Sequence, residues 1–366
     1  MRVFDRLCPA GPGWDLDWDA VCDRFGWVRR MAGVGDGARH TRLAAQALAG
    51  LPGWRARPRA EQVRLFAAVL LRDVAGPDCA AVEDGRVRFV GHARRGDLLA
   101  RRILWELGAP PDWREHVAAL VGHHQVPQSA MDRPDLERTV LRVSLLARND
   151  DLALLAEAGA RGRGGELEQV GLFREYCAEL GVLEGPWPFA SDHARFQYFR
   201  TPGRDPGYAA YDDTRSVVTV MSGLPGVGKD TWIAANRPGA AVVSLDELRA
   251  RLGVAPAGDQ GPVVAAAYAR ARELLRAGQP LVWNATNVSR QTRDLCVGLA
   301  ASYRARVEIA ALEAPPAVVR ARNSGRAAAV PAAAWERMLG RWQAPDVTEA
   351  HAVHRIETAR REPIQE

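Results

Sequence analysis

The hydrophobic pattern of the first part of the chain, up to about residue 200, predicts helices. Segments rich in leucine, alanine and arginine carry apolar residues at helical spacing, and strand signals are scarce. These segments are residues 41–48, 60–71, 94–107, 114–121 and 136–157. One short hairpin is predicted over residues 81–90, centred on Asp84 and Gly85, and the glycine-rich residues 161–165 are predicted as a loop. We therefore expect the first part to be an all-α domain.

From Ser216 onward, short apolar runs alternate with longer helical segments. The runs at residues 217–221, 241–244, 281–284 and 307–312 are predicted as strands. Alternating strands and helices are typical of a doubly wound α/β domain, with a parallel sheet flanked by helices. Residues 186–215, between the two parts, are rich in proline, glycine and aromatic side chains. We expect a helical domain at 1–185, a connector at 186–215 and an α/β domain at 216–366.

The first predicted strand of the second part runs directly into a glycine-rich loop. Residues 223–229 read G-L-P-G-V-G-K, the phosphate-loop motif, in its expected place between a strand and a helix. Glycines let backbone N–H groups turn towards an anion, and the next helix directs its positive N-terminus there. The residues predicted to bind a nucleotide here are Gly223, Leu224, Pro225, Gly226, Val227, Gly228, Lys229, Asp230 and Thr231.

Two residues of this motif stand out. Lys229 is the only lysine in the chain, and the rest of its 49 Lys+Arg residues are arginines. A lysine presents a compact point charge, and its place in the motif predicts contact with the β- and γ-phosphates. The position that usually carries a Ser or Thr ligand for Mg²⁺ holds Asp230, with Thr231 behind it. A carboxylate also binds Mg²⁺, so Asp230 is the predicted magnesium ligand, although which group touches the ion is left open.

Polar residues follow the next two predicted strands. Asp246 lies just past the strand at 241–244, at the edge where open α/β sheets bind ligands. A carboxylate there can accept a proton from an attacking hydroxyl, and the alternative is a helix N-cap. Arg249, one helical turn on, is predicted to hold a phosphate of the acceptor. Thr286 and Asn287 follow the strand at 281–284, where they either orient the acceptor or build the turn.

A pair of arginines occurs late in the chain. Arg322 and Arg326 are four residues apart, so they share one face of a helix. They are predicted to close over the γ-phosphate and stabilise the charge of the transition state, and the alternative is a solvated basic face. Lys229, Asp246 and Arg326 form the predicted catalytic set.

Composition narrows the class of protein. The chain has 366 residues, of which 47% are hydrophobic, and no run is long enough to span a membrane. The N-terminus has no apolar signal core, so a cytoplasmic location without a membrane partner is expected. The five scattered cysteines are predicted to be free thiols, and the net charge of +5 permits an anionic partner such as nucleic acid.

The order of these motifs resembles that of the 5′-hydroxyl polynucleotide kinase family of P-loop phosphotransferases. The shared pattern is the phosphate loop, an S-x-D-x-x-R segment from Ser244, a T-N turn and an R-N-x-x-x-R-x-x-x-V-P lid. The resemblance implies ATP and Mg²⁺ as cofactors and RNA or DNA 5′-OH ends as partners. It also implies that Asp246 is the general base, that Arg249 contacts the acceptor phosphate and that the lid arginines contact the donor nucleotide.

Histidines and carboxylates recur along the predicted helices of the first part. Such residues can converge on a metal ion in a helical bundle. Their order resembles that of the HD phosphohydrolase family, and nearly the whole chain resembles the bacterial HD-Pnk proteins, which join such a domain to a polynucleotide kinase for healing RNA ends. The resemblance implies a site for Mn²⁺, Ni²⁺ or Co²⁺ formed by His40, Asp73, His92, His123 and Asp150.

One residue departs from that pattern, because Arg72 stands where the family has the histidine of its HD pair. A guanidinium stays protonated and has no lone pair for a metal ion. We therefore expect the helical domain to bind metal poorly and to have weak or no 2′,3′-cyclic phosphodiesterase or phosphatase activity. Arg72 is expected to grip a terminal phosphate instead.

Two other functions fit the same residues. One is a P-loop kinase of a small molecule or nucleoside, with an HD domain that hydrolyses a nucleotide. The other is a non-enzymatic protein that binds RNA ends when a nucleotide is bound. The sequence leaves open the choice between RNA and DNA, and the oligomeric state, a homodimer included.

Overall fold

The structure, a computed structural model, describes residues 1–11, 13–31, 37–83, 86–255, 258–326 and 328–359, with the backbone alone for 82–89. The chain divides into two compact units, Met1–Trp187 and Pro188–Glu366. The first unit is helical and the second carries a parallel sheet flanked by helices, which confirms the predicted fold class. No helix within the described ranges has the length and apolar character needed to cross a membrane.

The first unit has twelve described α-helices and one hairpin. The helices are α1 (Arg2–Leu7), α2 (Trp18–Arg24), α3 (Gly26–Met31), α4 (Gly37–Gly50), α5 (Pro52–Arg55), α6 (Arg59–Leu71), α7 (Gly76–Cys79), α8 (His92–Glu106), α9 (Pro111–His123), α10 (Leu136–Ser144), α11 (Asn149–Arg163) and α12 (Glu168–Glu179). A short 3₁₀ helix, Val126–Ser129, follows α9. The hairpin is antiparallel, with β1 (Ala80–Glu83) paired to β2 (Arg86–Phe89) as predicted, and its centre at 84–85 lies outside the described residues.

Two predicted boundaries in this unit were wrong. Residues 136–157, predicted as one helix, form α10 and α11, because the buried Asn149 amide donates to the Val140 and Val182 carbonyls at 3.1 and 2.8 Å and fixes a break. Residues 161–165, predicted as a loop, begin inside α11, which ends only at the left-handed Gly164. A Cβ at Gly162 would lie 2.7 Å from the Ala44 nitrogen, so this glycine serves close packing of α11 on α4.

The second unit is built on five parallel strands in the order β4-β5-β3-β6-β7. The strands are β3 (Ser216–Ser222), β4 (Ala241–Ser244), β5 (Leu281–Asn284), β6 (Ala305–Glu313) and β7 (Ala352–Glu357). The helices are α13 (Asp192–Arg200), α14 (Lys229–Asn236), α15 (Leu245–Arg251), α16 (Gly261–Arg276), α17 (Arg290–Ser302), α18 (Pro316–Ser324) and α19 (Ala332–Leu339). The four predicted strands are confirmed, whereas β7 was not predicted because it is a half-exposed edge strand without a buried apolar run.

The segment predicted as a connector contains α13, which packs on the sheet of the second unit. His193 on α13 lies with its Nδ1 3.1 Å from the Nε2 of His351, and both rings are buried. The backbone N–H of Val307 in β6 donates to the Nδ1 of His351 at 3.0 Å. The Phe196 ring lies 4.1 Å from the same imidazole, so α13 is anchored to the sheet through His351.

A buried ion pair fixes the turn that follows β5. Arg293 is fully buried and donates to both carboxylate oxygens of Glu349, from Nε at 2.7 Å and from Nη2 at 2.9 Å. Its Nη1 donates to the carbonyls of Asn287 and Gln343 at 3.0 and 2.8 Å. A guanidinium with every nitrogen hydrogen-bonded in this way holds three segments together around one point.

We predict that Arg293→Ala lowers the free energy of unfolding of the second unit by about 3–5 kcal/mol, because it removes the main partner of the buried Glu349 carboxylate and leaves only a 3.9 Å ion pair with Arg290. Urea unfolding with hydrogen exchange of the β5 and β6 amides measures the change. The matched control is Arg270→Ala, which breaks an exposed pair with Glu273 and should cost about 0–1 kcal/mol. Equal effects of the two variants would contradict the structural role of Arg293.

Candidate active site

The phosphate loop lies at the carboxyl edge of the sheet, between the end of β3 and the start of α14. Gly226 and Gly228 have φ values of 88° and 98°, which L-residues with side chains rarely adopt. A Cβ at Gly226 would lie 2.9 Å from the backbone nitrogen of Asn323, so the loop packs tightly on α18. Leu224 and Val227 are buried, and so these residues shape the loop and can offer only backbone groups to a ligand.

Three of the predicted charged residues are close enough to act on a fourth, Lys229, at this loop. The Lys229 ammonium donates to the carbonyls of Gly223 and Leu224 at 3.0 and 3.3 Å, and burial lowers its pKa to about 8. The carboxylates of Asp230 and Asp246 raise this pKa, and the guanidinium of Arg326 lowers it. The predicted catalytic set of Lys229, Asp246 and Arg326 therefore converges on a common electrostatic environment.

Asp230 is held by the strand next to its own. Its Oδ1 accepts a hydrogen bond of 2.7 Å from the Nδ2 of Asn284, the last residue of β5. Within the described part of the chain its Oδ2 makes no hydrogen bond, so a fixed and exposed carboxylate retains one oxygen for a ligand. Such an oxygen suits Mg²⁺, with the neighbouring Thr231 exposed on the same helix.

Asp246 lies in the first turn of α15, beyond the end of β4. The helix is capped by Ser244, whose Oγ accepts from the Glu247 N–H at 3.3 Å, so Asp246 is not the N-cap. Its side chain is 76% exposed and forms an ion pair with Arg249. Arg249 also donates from Nε to the Oε1 of Gln260 at 2.8 Å, a contact that sequence reasoning missed. The two residues predicted to serve the acceptor therefore lie side by side, with Asp246 exposed and Arg249 half-buried.

The residues after β5 build a turn against the phosphate loop. Asn287 has a positive φ of 42°, and its Nδ2 donates to the Met221 carbonyl at 2.8 Å. The carbonyl of Thr286 accepts from the N–H of Gly223 at 2.8 Å. Because the buried Asn287 amide bonds to the protein backbone, its hydrogen bond favours a role for Asn287 in building the turn over one in orienting the acceptor. Contact between the Thr286 side chain and an acceptor stays a prediction.

The predicted lid is tied to the phosphate loop by a residue that the sequence did not indicate. Thr358 follows β7, and its hydroxyl donates to the Val227 carbonyl at 2.7 Å and accepts from the Nη1 of Arg322 at 3.2 Å. Asn323 exchanges two hydrogen bonds with the backbone of Val330, at 2.9 and 3.2 Å, and so closes the segment between them. Arg326, in that segment, is exposed.

A second group of polar residues lies in the first unit. Asp73, His92 and His124 have ligand atoms within 4.8 Å of one another. The Nε2 atoms of His92 and His124 are 3.9 and 4.0 Å from Asp73 Oδ1. His124 Nδ1 donates to the Val121 carbonyl at 2.8 Å, and burial lowers the pKa of His124 to about 4. The imidazole is therefore neutral at pH 7 and directs the lone pair of Nε2 towards the carboxylate.

The composition of this group corrects the sequence prediction. The structure brings His124 into the group in place of His123, whose Nδ1 lies 2.8 Å from the Ala119 carbonyl. Successive residues near a helix end point about 100° apart, so the two histidines cannot face the same partner. The predicted ligands His40 and Asp150 lie outside the group, and Asp150 is paired with Arg57 and Arg148.

The three donors fit one divalent transition-metal ion, which needs three protein ligands and an open position in a catalytic site. Such an ion would supply Lewis acidity and an activated water. Arg72, however, donates to Asp73 Oδ2 from Nε at 3.1 Å and from Nη2 at 2.6 Å. Burial alone would raise the pKa of Asp73, but the Arg72 guanidinium holds it well below its usual range. The carboxylate therefore offers one oxygen to a metal, beside a fixed positive charge that opposes it.

A family model supports the assignment of the second unit, and one curated protein matches part of the chain. A family model described as an AAA domain matches residues 218–345, a range that includes the phosphate loop, Asp246 and both lid arginines. One curated protein, the CC-adding tRNA nucleotidyltransferase of Thermus thermophilus, is 39% identical over 127 residues. That match covers 33% of this chain and 27% of the relative, so the chain spans about a quarter of its length. The second unit is a P-loop domain with the features of a phosphotransferase.

The depressed pKa of Lys229 predicts a pH dependence of nucleotide binding. Bound phosphates favour the charged ammonium and raise its pKa, so ATP affinity should be highest below pH 8 and should fall as the pH rises through the bound-state pKa. Between the two pKa values the fall should approach tenfold per pH unit. Titration of Mg²⁺·ATP against the protein from pH 7 to 10 measures it.

The control for this pH dependence is Lys229→Arg, whose guanidinium does not titrate in this range. Its ATP affinity should be lower but flat from pH 7 to 10. A fall as steep as that of the unaltered protein would show that another group is responsible.

Proposed function

We propose that the protein is an ATP-dependent kinase of 5′-hydroxyl polynucleotide ends, acting in the repair of broken RNA. The observation that carries the proposal is the electrostatic coupling of Lys229 to Asp230, Asp246 and Arg326 at one edge of the sheet. In this proposal Lys229 binds phosphate, Asp230 binds magnesium, Asp246 is the general base and Arg326 is an additional cation. Those are the parts that transfer of a phosphoryl group to an alcohol requires.

The donor is Mg²⁺·ATP, bound at the phosphate loop. Backbone N–H groups of Gly226 and Gly228 and the N-terminus of α14 receive the phosphates, and Lys229 leaves its two carbonyl partners to contact them. Asp230, oriented by Asn284, provides the carboxylate oxygen for the metal. The ion supplies charge neutralisation for the phosphate oxygens.

The acceptor approaches from the side of Asp246. Its exposed carboxylate removes the proton of the 5′-hydroxyl as that oxygen forms a bond to the γ-phosphorus. The bond between the γ-phosphorus and the bridging oxygen breaks, and ADP leaves with the electron pair. Lys229, Arg322 and Arg326 offset the charge that spreads over the transferred group, so positioning and electrostatics provide most of the rate.

The exposure of Asp246 supports a macromolecular acceptor. A small acceptor is usually enclosed in a cleft that buries most of its surface. Here the base is 76% exposed, and Arg249 next to it can bind the phosphate that follows the first nucleotide of a strand. The name of the Thermus thermophilus relative describes addition of CC to tRNA, an RNA substrate, which favours RNA over DNA as the acceptor.

We further propose that the first unit is a domain related to HD phosphohydrolases. With Arg72 on Asp73, it should hydrolyse 2′,3′-cyclic and 3′-phosphate RNA ends weakly or not at all, even with added Mn²⁺, Ni²⁺ or Co²⁺. Robust hydrolysis that Asp73→Ala abolishes would overturn this part without affecting the kinase.

The test is transfer of labelled phosphate from γ-labelled ATP to a panel of acceptors. A 5′-hydroxyl oligoribonucleotide, the matching oligodeoxyribonucleotide and free nucleosides are compared at equal concentration, with 3′-hydroxyl and 3′-phosphate forms of each strand. We expect labelling of the strands, RNA above DNA, and none of the nucleosides. Labelling of nucleosides alone would establish a small-molecule kinase, and ATP-dependent RNA binding without a labelled product would establish a non-enzymatic end binder.

We predict that Asn284→Ala lowers the affinity for Mg²⁺ by about ten- to a hundredfold, because loss of a partner that orients a metal ligand typically reduces metal affinity by this factor. The Mg²⁺ concentration at half-maximal kinase rate, measured at saturating ATP, gives the change. Asn236→Ala is the matched control, since it removes an amide that only bonds to the Trp232 carbonyl on the exposed face of α14. An unchanged magnesium requirement in Asn284→Ala would contradict the role of Asp230 as a magnesium ligand.

A further inference from the structure

We propose that the first unit binds a phosphate monoester between Arg72 and Arg163, without a metal ion. We refer to these two arginines, with the neighbouring Asp73, as the paired-arginine site. The ligand class is a terminal phosphate, such as the 3′-phosphate of an RNA end. This binding goes beyond the kinase activity of the second unit and does not depend on it.

Arg72 is a buried cation with donors to spare. Its side chain is 2% exposed, and Nε and Nη2 both donate to Asp73 Oδ2. Its Nη1 makes no hydrogen bond within the described part of the chain. The Nη1 donor is therefore available to an anionic partner, and a guanidinium binds such a partner through charge-assisted hydrogen bonds.

Gly159 makes the position of Arg72 possible. A Cβ at residue 159 would lie 1.9 Å from the Nη1 of Arg72, so the guanidinium occupies the space of the missing side chain on α11. Asp73, in turn, fixes the other edge of the guanidinium. The position of this cation is therefore built into two elements of the fold rather than left to a flexible surface side chain.

Arg163 brings a second guanidinium to the same place. It lies four residues after Gly159, on the same face of α11, and so next to Arg72. Partial burial and the Arg72 guanidinium lower the pKa of Arg163, and Asp73 raises it. Among the described residues Arg163 has no ion-pair partner, whereas Arg161, two positions earlier, donates to Glu157 at 2.9 Å.

The charges of this site favour an anion. Two guanidiniums and one carboxylate leave a net charge of +1 at this site. Two like charges next to each other are unfavourable unless an anion lies between them, and guanidinium pairs bind phosphate oxygens with good geometry. The same positive charge opposes a divalent ion at Asp73, so the two ligands are expected to compete.

Calorimetric titration of the full chain tests the proposal. Lys229→Ala is the background, because it weakens anion binding at the phosphate loop, and EDTA removes metal ions. The probes are inorganic phosphate, adenosine 3′-monophosphate and adenosine 5′-monophosphate. We expect the 3′-monophosphate to bind, and Arg163→Ala and Gly159→Ala each to weaken it by roughly tenfold, the effect of losing one charge-assisted contact.

Gly159→Ala displaces the guanidinium of Arg72 without removing any charged residue, so it separates the position of the charge from its presence. Arg161→Ala removes the same charge from the same helix end and should leave affinity unchanged. The proposal is wrong if no probe binds in EDTA, or if Arg163→Ala, Gly159→Ala and Arg161→Ala all have the same affinity. It is also wrong if binding requires added Mn²⁺ and is unchanged in Arg163→Ala and Gly159→Ala. Tighter binding of inorganic phosphate than of either nucleotide would identify free phosphate as the ligand, and would support the site but not its use on RNA ends.

Discussion

Parallel pairing of β5 between β4 and β3 is the constraint on which the candidate active site depends. Because parallel strands present their carboxyl ends at one edge, this order brings the loops after all three strands together. Lys229 and Asp230 come from the loop after β3, Asp246 from the turn after β4, and Asn284 from the end of β5. A strand order that moved β4 or β5 away from β3 would separate Lys229 from Asp246 or Asp230 from Asn284.

Hydrogen bonds at this edge of the sheet hold the loops in shape without a bound nucleotide. Lys229 fills the phosphate loop by bonding to two of its carbonyls, and Thr358 ties the loop to the lid. The turn at Asn287 is pinned by Arg293 and Glu349, which are buried and fully paired. The site is thus preorganised by contacts behind it, while Asp246 and Arg326 in front stay open to solvent.

The sequence predicted the parts that depend on local pattern. The phosphate loop, four strands and Asp246 at a strand end all follow from motif spacing and from the geometry of parallel sheets. Long-range pairings were not predictable. Thr358 depends on β7, whose edge position leaves no apolar run, and the choice of His124 over His123 depends on the rotation of one helix end. Gly162 was misinterpreted because a glycine that allows close helix packing has the same sequence signal as one in a loop.

The first unit shows how one arginine changes the chemistry of a polar group. The donors Asp73, His92 and His124 keep the spacing of a metal site, yet Arg72 uses one oxygen of the carboxylate and adds a charge that opposes a cation. The absence of a side chain at Gly159 leaves the space that the Arg72 guanidinium occupies, so the fold accommodates this arginine. The neighbouring Arg163 adds a second positive charge, which favours binding of an anion.

The central claim is that Asp246 takes the proton of a 5′-hydroxyl while Lys229 holds the transferred phosphate. Single-turnover transfer to a 5′-hydroxyl oligoribonucleotide by Asp246→Asn, with ATP affinity measured on the same sample, tests it most directly. The account predicts unchanged ATP affinity and a transfer rate lower by about 10²–10⁴-fold, the usual contribution of a general base. Transfer at a rate close to that of the unaltered protein would contradict it.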